Sequence, residues 1–361
     1  MILAIETSCD DSAVALLDWD GRVIISEISS QVDLHKKYGG VVPEIASRQH
    51  LTTLPLLLRH IFDKHAVELS DLKAVAVTYA PGLIGSLLVG VSYAKTLAWV
   101  AGVPLVPVDH IEGHLLAPFL DEPNLKFPFL ALVISGGHTH LIVAKGLGNY
   151  ELLGKTMDDA AGEAYDKVAK LLGFQYPGGP IIEKLANDFS NPTISFPVPL
   201  KGRKSLDFSF SGLKTAVRNE AIKKGVYVEK ERLISYEEFL KTPDNGKKSI
   251  IQDIAASFQR IMTKIIYLRF QEALRVTDLK QMVITGGVAA NRGIRDCLTQ
   301  LAEQENRDFF YPKLVNCTDN AAMIGWTALQ HLKSGNIDYT DGITLNAASK
   351  SPISQMTVEL Q

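Results

Sequence analysis

Apolar and polar positions along this chain trace one plan twice. Ile2 to Ile5 and Ala13 to Leu17 are short apolar runs separated by the polar segment Glu6-Thr7-Ser8-Cys9-Asp10-Asp11-Ser12. Short apolar runs bounded by turn residues predict strands, and two so close predict a hairpin. Phe129 to Ile134 and His140 to Val143 repeat the plan around Ser135-Gly136-Gly137-His138-Thr139. Well downstream of each hairpin, a further apolar strand runs through glycines into a helix. In the first half these are Ala74 to Val77, the loop Pro81-Gly82-Leu83-Ile84-Gly85 and a helix through Ala98. In the second they are Gln281 to Ile284, Gly286-Gly287 and a helix from about Ala290. Alternation of this kind predicts an α/β protein with ligands at the loops leaving the strand ends. Duplication predicts two lobes around a central cleft.

The lobes are assigned to residues 1–125 and 126–318, joined through the surface connection Asp121-Glu122-Pro123-Asn124. Residues 319–335 are expected to form a helix that returns to the N-terminal lobe. The stretch from Pro177 to Thr215 reads as irregular, and the Lys- and Glu-rich residues 223–248 as an exposed insertion. Ile250, Ile254, Phe258, Ile261, Ile265 and Leu268 recur at helical spacing, which predicts a long core-facing helix from Ser249 to Leu274. Residues 346–361 read as a disordered tail.

Composition narrows the class. With 361 residues, the chain has room for two domains of about 150 each. A hydrophobic share of 46% and a charged share of 21% describe a soluble globular protein. The net charge of -3 gives no global basic field, so any contact with nucleic acid must use a local patch. Cys9, Cys297 and Cys317 are odd in number and scattered, which points to a reduced, cytoplasmic setting. Met1 leads directly into a strand, leaving no room for a signal peptide. The apolar region from Ile84 to Val108 is interrupted by Lys95, Gly102, Pro104 and Pro107. It reads as a buried helix and a strand, and no membrane association is expected.

His110-Ile111-Glu112-Gly113-His114 holds the most specific chemistry. Residues i and i+4 share one helix face, so both imidazoles can reach a single cation. The spacing differs from the zinc-protease motif H-E-x-x-H, because Ile111 stands where the glutamate base belongs. Glu112 lies about 200° around the helix from each histidine and points away from a metal they would hold. Asp319, in Asn316-Cys317-Thr318-Asp319-Asn320, offers a third ligand. An N-cap role accounts for it equally, unless Thr318 or Asn316 caps instead.

The glycine turns are weaker taken singly. Gly136 and Gly137 let backbone N–H groups approach an anion, although a tight turn needs glycines too. Asp10 and Asp11 face the matching turn, as functional acids or as turn residues. Gly178-Gly179 and Gly286-Gly287 could flank a nucleoside. Asn291 would serve there, or as a helix cap. Asp166 is a candidate for ribose hydroxyls, or part of a solvated helix face.

Taken together the motifs resemble the TsaD (Gcp/YgjD) family of tRNA N6-adenosine threonylcarbamoyltransferases. The resemblance rests on Ile5 to Asp10, Tyr38 to Glu44, His110 to His114, Ser135 to Thr139, Tyr176 to Pro180, Phe208 to Thr215, Gly286 to Asn291 and Cys317 to Asn320. It implies the ASKHA fold of actin, Hsp70 and the sugar kinases. It implies transfer of threonylcarbamoyl from threonylcarbamoyl-AMP to N6 of adenosine 37 in tRNAs reading codons that begin with A. By the same resemblance His110, His114 and Asp319 hold one divalent metal ion, iron(II) before zinc. Val133, Ile134, Ser135, Gly136 and Gly137 match the donor-binding loop, and Asp166, Gly179 and Asn291 surround its adenosine. Glu183 stands where many members carry aspartate near the ribose. Asp10 matches an acidic residue important for activity. The implied partners are tRNA, a TsaB-like paralogue and a TsaE-like ATPase. An ATP-dependent phosphotransferase on the same fold, and a non-catalytic nucleotide-gated scaffold, are the alternatives.

Overall fold

The structure is a computed structural model that describes residues 1–200, 205–228, 233–243, 246–335 and 344–353. In the first lobe β1 (Ile2–Glu6), β2 (Asp11–Leu17) and β3 (Val23–Ser30) form an antiparallel meander. β4 (Ala74–Ala80) and β5 (Leu105–Asp109) extend it in parallel, in the order β3-β2-β1-β4-β5. The second sheet is made of β6 (Phe129–Ile134), β7 (Thr139–Gly146), β8 (Asn149–Lys155), β9 (Gln281–Thr285) and β10 (Asp308–Phe310). Its order is β10-β9-β6-β7-β8, with the same strand senses. Each strand of the second sheet thus takes the place of one in the first.

In the first lobe the helices are α1 (Val32–His35), α2 (Pro43–His65), α3 (Ile84–Ala101) and α4 (His110–Leu116). In the second they are α5 (Ala161–Leu171), α6 (Gly178–Asn187), α7 (Ser211–Lys223), α8 (Tyr236–Lys241), α9 (Lys247–Thr277) and α10 (Arg292–Gln304). α11 (Leu314–Cys317) and α12 (Ala321–Ser334) follow. Both faces of each sheet are covered, which is why the central strands β1 and β6 are apolar almost throughout. Leu3, Ile5 and Val14 pack under Leu54 and Ile61 of α2 and Val91 of α3. On the other face, Ile2, Ala4 and Ala15 meet Met323, Ile324 and Ala328 of α12. The small residues on that face bring α12 close. A Cβ at Gly325 would lie 2.3 Å from Leu17 Cδ1.

In the second sheet, Leu130 and Leu132 face the cluster built by α5, α6, α9 and α10. Phe129, Ala131 and Val133 face Ile111 and Leu115 of α4. The helix that follows β5 therefore covers the second sheet, and the helix that follows β10 covers the first. These two exchanged helices touch. A Cβ on Gly113 of α4 would come within 2.8 Å of Ile324 Cδ1 on α12.

Four sequence expectations change. The long helix α9 runs beyond the Ser249 to Leu274 span. The stretch read as irregular contains α6, which starts at Gly178-Gly179-Pro180 because proline is tolerated in a first helical turn. Within residues 223–248, Val226 and Phe239 are buried, and Phe239 packs edge-on against Phe174 at 5.3 Å. These two side chains anchor the segment to the core, while its other described residues are exposed or half-buried as expected, and 229–232 and 244–245 lie outside the described residues. Instead of a tail loose from 346, Ser351 and Ile353 are buried, with Ile353 against the cluster of Ile111 and Phe129. Residues 354–361 lie outside the described part. The apolar region from Ile84 forms α3 and β5. Among the described residues α3 is the one helix long and apolar enough to cross a membrane, and its Leu87, Val91, Ala94 and Ala98 are buried within the lobe.

Two predictions follow from local backbone and burial. Gly286 has φ +94, and a Cβ there would sit 2.4 Å from the Ile134 carbonyl oxygen, whereas one at Gly287 meets nothing within 4 Å. Gly286→Ala is therefore expected to destabilise the protein by at least about 2 kcal/mol in urea titrations, and Gly287→Ala by less than about 0.5 kcal/mol. The second concerns Asp11, at the start of β2, whose Oδ1 is buried without a hydrogen-bond partner. Burial, helped by Asp10 and Asp319, pushes its carboxyl up to about 7. The native state then binds more protons than the unfolded chain between about pH 4 and 7, so stability falls as pH rises through that window. Asp11→Asn should be more stable than the parent at pH 8, on the order of 2 kcal/mol, with the gain gone near pH 4. Urea unfolding at the two pH values checks both the size and the sign.

Candidate metal centre and adjoining cleft

Strand β5 ends at Asp109, whose Oδ1 caps α4 by accepting from the N–H of Ile111 at 2.8 Å and of Glu112 at 3.3 Å. The capped turn places His110 and His114 on one face, with ring centroids 4.6 Å apart. Across from them α12 begins. Its cap is Asn320, which accepts from the Met323 N–H at 2.9 Å. Neither Asp319 nor the sequence alternatives Thr318 and Asn316 take that role. Asp319 is thereby available to the histidines. Its Oδ1 lies 3.0 Å from His114 Nε2 and 3.5 Å from His110 Nε2. The three donor atoms all fall within 4.8 Å of one another. Tetrahedral bonds of about 2.1 Å put neighbouring ligand atoms about 3.4 Å apart, so this set fits one divalent ion. Iron and zinc suit such donors alike.

The sequence reading assigned no role to Glu6. Its Oε2 lies 3.0 Å from His110 Nδ1, and it also accepts from the Thr78 hydroxyl and the Ser8 N–H. Holding Nδ1 leaves Nε2 of His110 for the ion, the usual carboxylate–histidine arrangement of metal sites. The available signal was an acidic residue closing an apolar, fully buried strand. Burial opposes a charge on His110, yet Asp319 and Glu6 push its imidazole up to about 9. Burial likewise opposes ionisation of Asp319, but His110 and His114 hold it far below the carboxylate range.

From the triad a cavity of about 560 Å³ extends between the lobes. Of the sequence candidates, Asp10, Ser135, Gly136, Gly137, Asp166, Gly179, Glu183 and Asn291 line it, together with His110 and Asp319. Val133 and Ile134 do not. Their side chains are wholly buried in β6, and only the loop they lead into reaches the cleft. His114 is also fully buried, behind the wall.

Asp166, Glu183, Asn291 and Asp10 already have local hydrogen-bonding tasks. Asp166 Oδ1 accepts from the Gly178 N–H at 2.6 Å, and burial raises its carboxyl to about 6. Glu183 accepts from the Arg292 N–H at 2.6 Å, tying α6 to the first turn of α10. Asn291 caps α10 through Ile294 at 3.1 Å and exchanges two hydrogen bonds with Gln259. Asp10 accepts from the Tyr176 hydroxyl at 3.4 Å, and burial raises its pKa. Gly136 and Gly137 have open space where a Cβ would stand. His138, which the sequence reading left without a role, also lines the cavity, with its ring centroid 6.2 Å from that of His110. Burial, then His110 and His140, push it down to about 3, which leaves it neutral.

Comparisons with known proteins agree with this geometry. The profile of the family TsaD, tRNA N6-adenosine threonylcarbamoyltransferase, matches residues 22–326. Curated relatives of that same name include one from Trichlorobacter lovleyi, 46% identical over 99% of this chain and 98% of its own. Another, from Clostridioides difficile, is 42% identical over 98% of each. Among solved structures, HypF of T. kodakarensis superposes with a TM-score of 0.58 at 15% identity, over 94% of this chain and 48% of its own. The activator of the 2-hydroxyisocaproyl-CoA dehydratase from Clostridium difficile gives 0.51 at 14% identity, over 93% and 96%. At such identities these structures speak for the fold alone, the duplicated ASKHA fold. On the sequence matches, this chain belongs to the TsaD family of tRNA N6-adenosine threonylcarbamoyltransferases.

Proposed function

We propose that the His110–His114–Asp319 centre and the loop Ser135 to Gly137 together hold threonylcarbamoyl-AMP while N6 of adenosine 37 attacks its carbamoyl carbon. The tRNAs are those reading codons that begin with A. The observation that carries this reading is that the three metal-type donors cluster at one end of the cavity, where His110 and Asp319 line the same space as the glycine loop. The ion we favour is iron(II), with zinc next. When bound it supplies Lewis acidity and positive charge beside the donor.

The residues divide the remaining work. N–H groups of Gly136 and Gly137 stabilise charge on the phosphate, where the open space at both glycines lets it approach. Asp166, Gly179 and Asn291 accommodate the adenosine, and Glu183 stands near its ribose. Val133 and Ile134 act through the backbone position of that loop. The new N6–carbon bond forms as the carbon–oxygen bond to AMP breaks, and the amine loses a proton. Adenine N6 is a weak nucleophile because its lone pair is delocalised, so polarising the carbonyl matters more than abstracting the proton. Asp10 orients the amine or accepts that proton, and its raised pKa makes it the better acceptor. The base lies in a single-stranded loop, where unstacking it into the cleft costs a few kcal/mol. A TsaB-like paralogue, a TsaE-like ATPase and a cytoplasmic location complete the proposal.

Two measurements test it. Replacing both His110 and His114 by alanine should reduce bound metal, measured by elemental analysis, to background. It should also abolish formation of the modified nucleoside from unmodified tRNA, threonine, bicarbonate, ATP and the partner proteins. Undiminished metal and transfer in that variant would remove the metal assignment. Asp10→Asn should lower kcat by about 100-fold with little change in the KM for tRNA. An unchanged kcat would take Asp10 out of the chemistry.

A further inference from the structure

Glu112 sits in the middle of the metal helix yet takes no part in the ligand set. Two residues from each histidine, it projects from the opposite side of α4. It is buried, and its Oε1 accepts from the Tyr150 hydroxyl at 2.7 Å and from His331 Nε2 at 2.9 Å. Tyr150 belongs to β8 of the second lobe, and His331 lies near the far end of α12. We propose that Glu112 is a positioning residue for the metal centre, locking the crossing of α4 and α12 and so the separation of the two histidines from Asp319. This rests on the reading of that centre as a metal site.

The argument is geometric. α12 touches α4 at the Gly113–Ile324 contact. Asp319, just before α12, reaches His110 and His114, and His331, towards its other end, reaches Glu112. A helix held at one point can pivot about it, whereas a helix held at two separated points has a fixed crossing angle. Asp319 leads directly into α12, so that angle sets where its carboxylate stands. The Tyr150 bond then fixes α4 against the second sheet, on the side where the Thr285 hydroxyl donates to the His114 carbonyl at 2.7 Å. An apolar side chain at position 112 would fill the same volume without directional bonds. A buried carboxylate with matched donors specifies one arrangement, and removing it leaves those donors unpaired.

Cobalt(II) titration of the metal-free full-length protein against a competing chelator tests the proposal, read by affinity and by the visible ligand-field spectrum. The thermal unfolding of each metal-free form is recorded alongside. Glu112→Gln keeps an acceptor oxygen at the same reach and should bind cobalt within about threefold of the parent, with the parent spectrum. Glu112→Ala should weaken cobalt binding by about tenfold or more and alter the spectrum. Tyr150→Phe removes one hydroxyl and keeps the ring, so it decides the matter if the alanine variant does not fold. It should show a smaller loss of affinity in the same direction. Lowered thermal stability with parental cobalt affinity and spectrum in both the alanine and phenylalanine variants would overturn the proposal, since Glu112 would then serve the fold alone. No cobalt binding by the parent itself would overturn the metal reading beneath it.

Discussion

The exchange of α4 and α12 between the lobes is the constraint on which the rest depends. Each sheet needs a helix over its inner face, and each receives the one that follows the other sheet's last strand. Because both helices are built into a lobe not their own, the lobes cannot move far apart without exposing Ile111 and Leu115 or Met323 and Ile324. The place where the two helices cross is therefore among the best defined in the molecule. His110 and His114 lie on one of them, and Asp319 leads into the other.

Charge balance at that crossing points the same way. Glu6 and Asp319 are both held ionised against burial, chiefly by His110, whose imidazole stays charged to about pH 9. Burial keeps His114 from sharing the load, lowering its pKa. Two carboxylates and one imidazolium leave the cluster one positive charge short. A divalent ion in place of that proton neutralises it, which is the electrostatic counterpart of the donor spacing.

The cleft beyond the centre is built from backbone as much as from side chains. Gly162 packs against the Ser135 carbonyl and Gly286 against that of Ile134, so larger residues at either would push the 135–137 loop out of place. Asp166, Glu183 and Asn291 each spend an oxygen on a neighbouring N–H while their surfaces line the cavity. Capping and ligand roles are not exclusive for such residues. The polar groups that order the loops are also the ones that line the cavity.

What the sequence alone determined is what repeats at short range. Short apolar runs bounded by turn residues marked both hairpins, an i, i+4 histidine pair marked one helix face, and glycine turns marked the strand ends, because each depends on a few neighbouring residues. The family resemblance then implied a ligand set and a donor. The rest was decided by tertiary structure. Asp319 meets His114 across 205 residues only because two helices change lobes, and no local pattern encodes that. Glu6 reads as the first residue of a polar turn until burial brings it to His110, and Glu112 reads only as pointing away from the histidine face until Tyr150 and His331 close on it. Val226 and Phe239 enter the core one at a time from a charged stretch, with no periodicity to announce them. Local propensity sets which elements form, and the packing of those elements against each other sets which side chains meet.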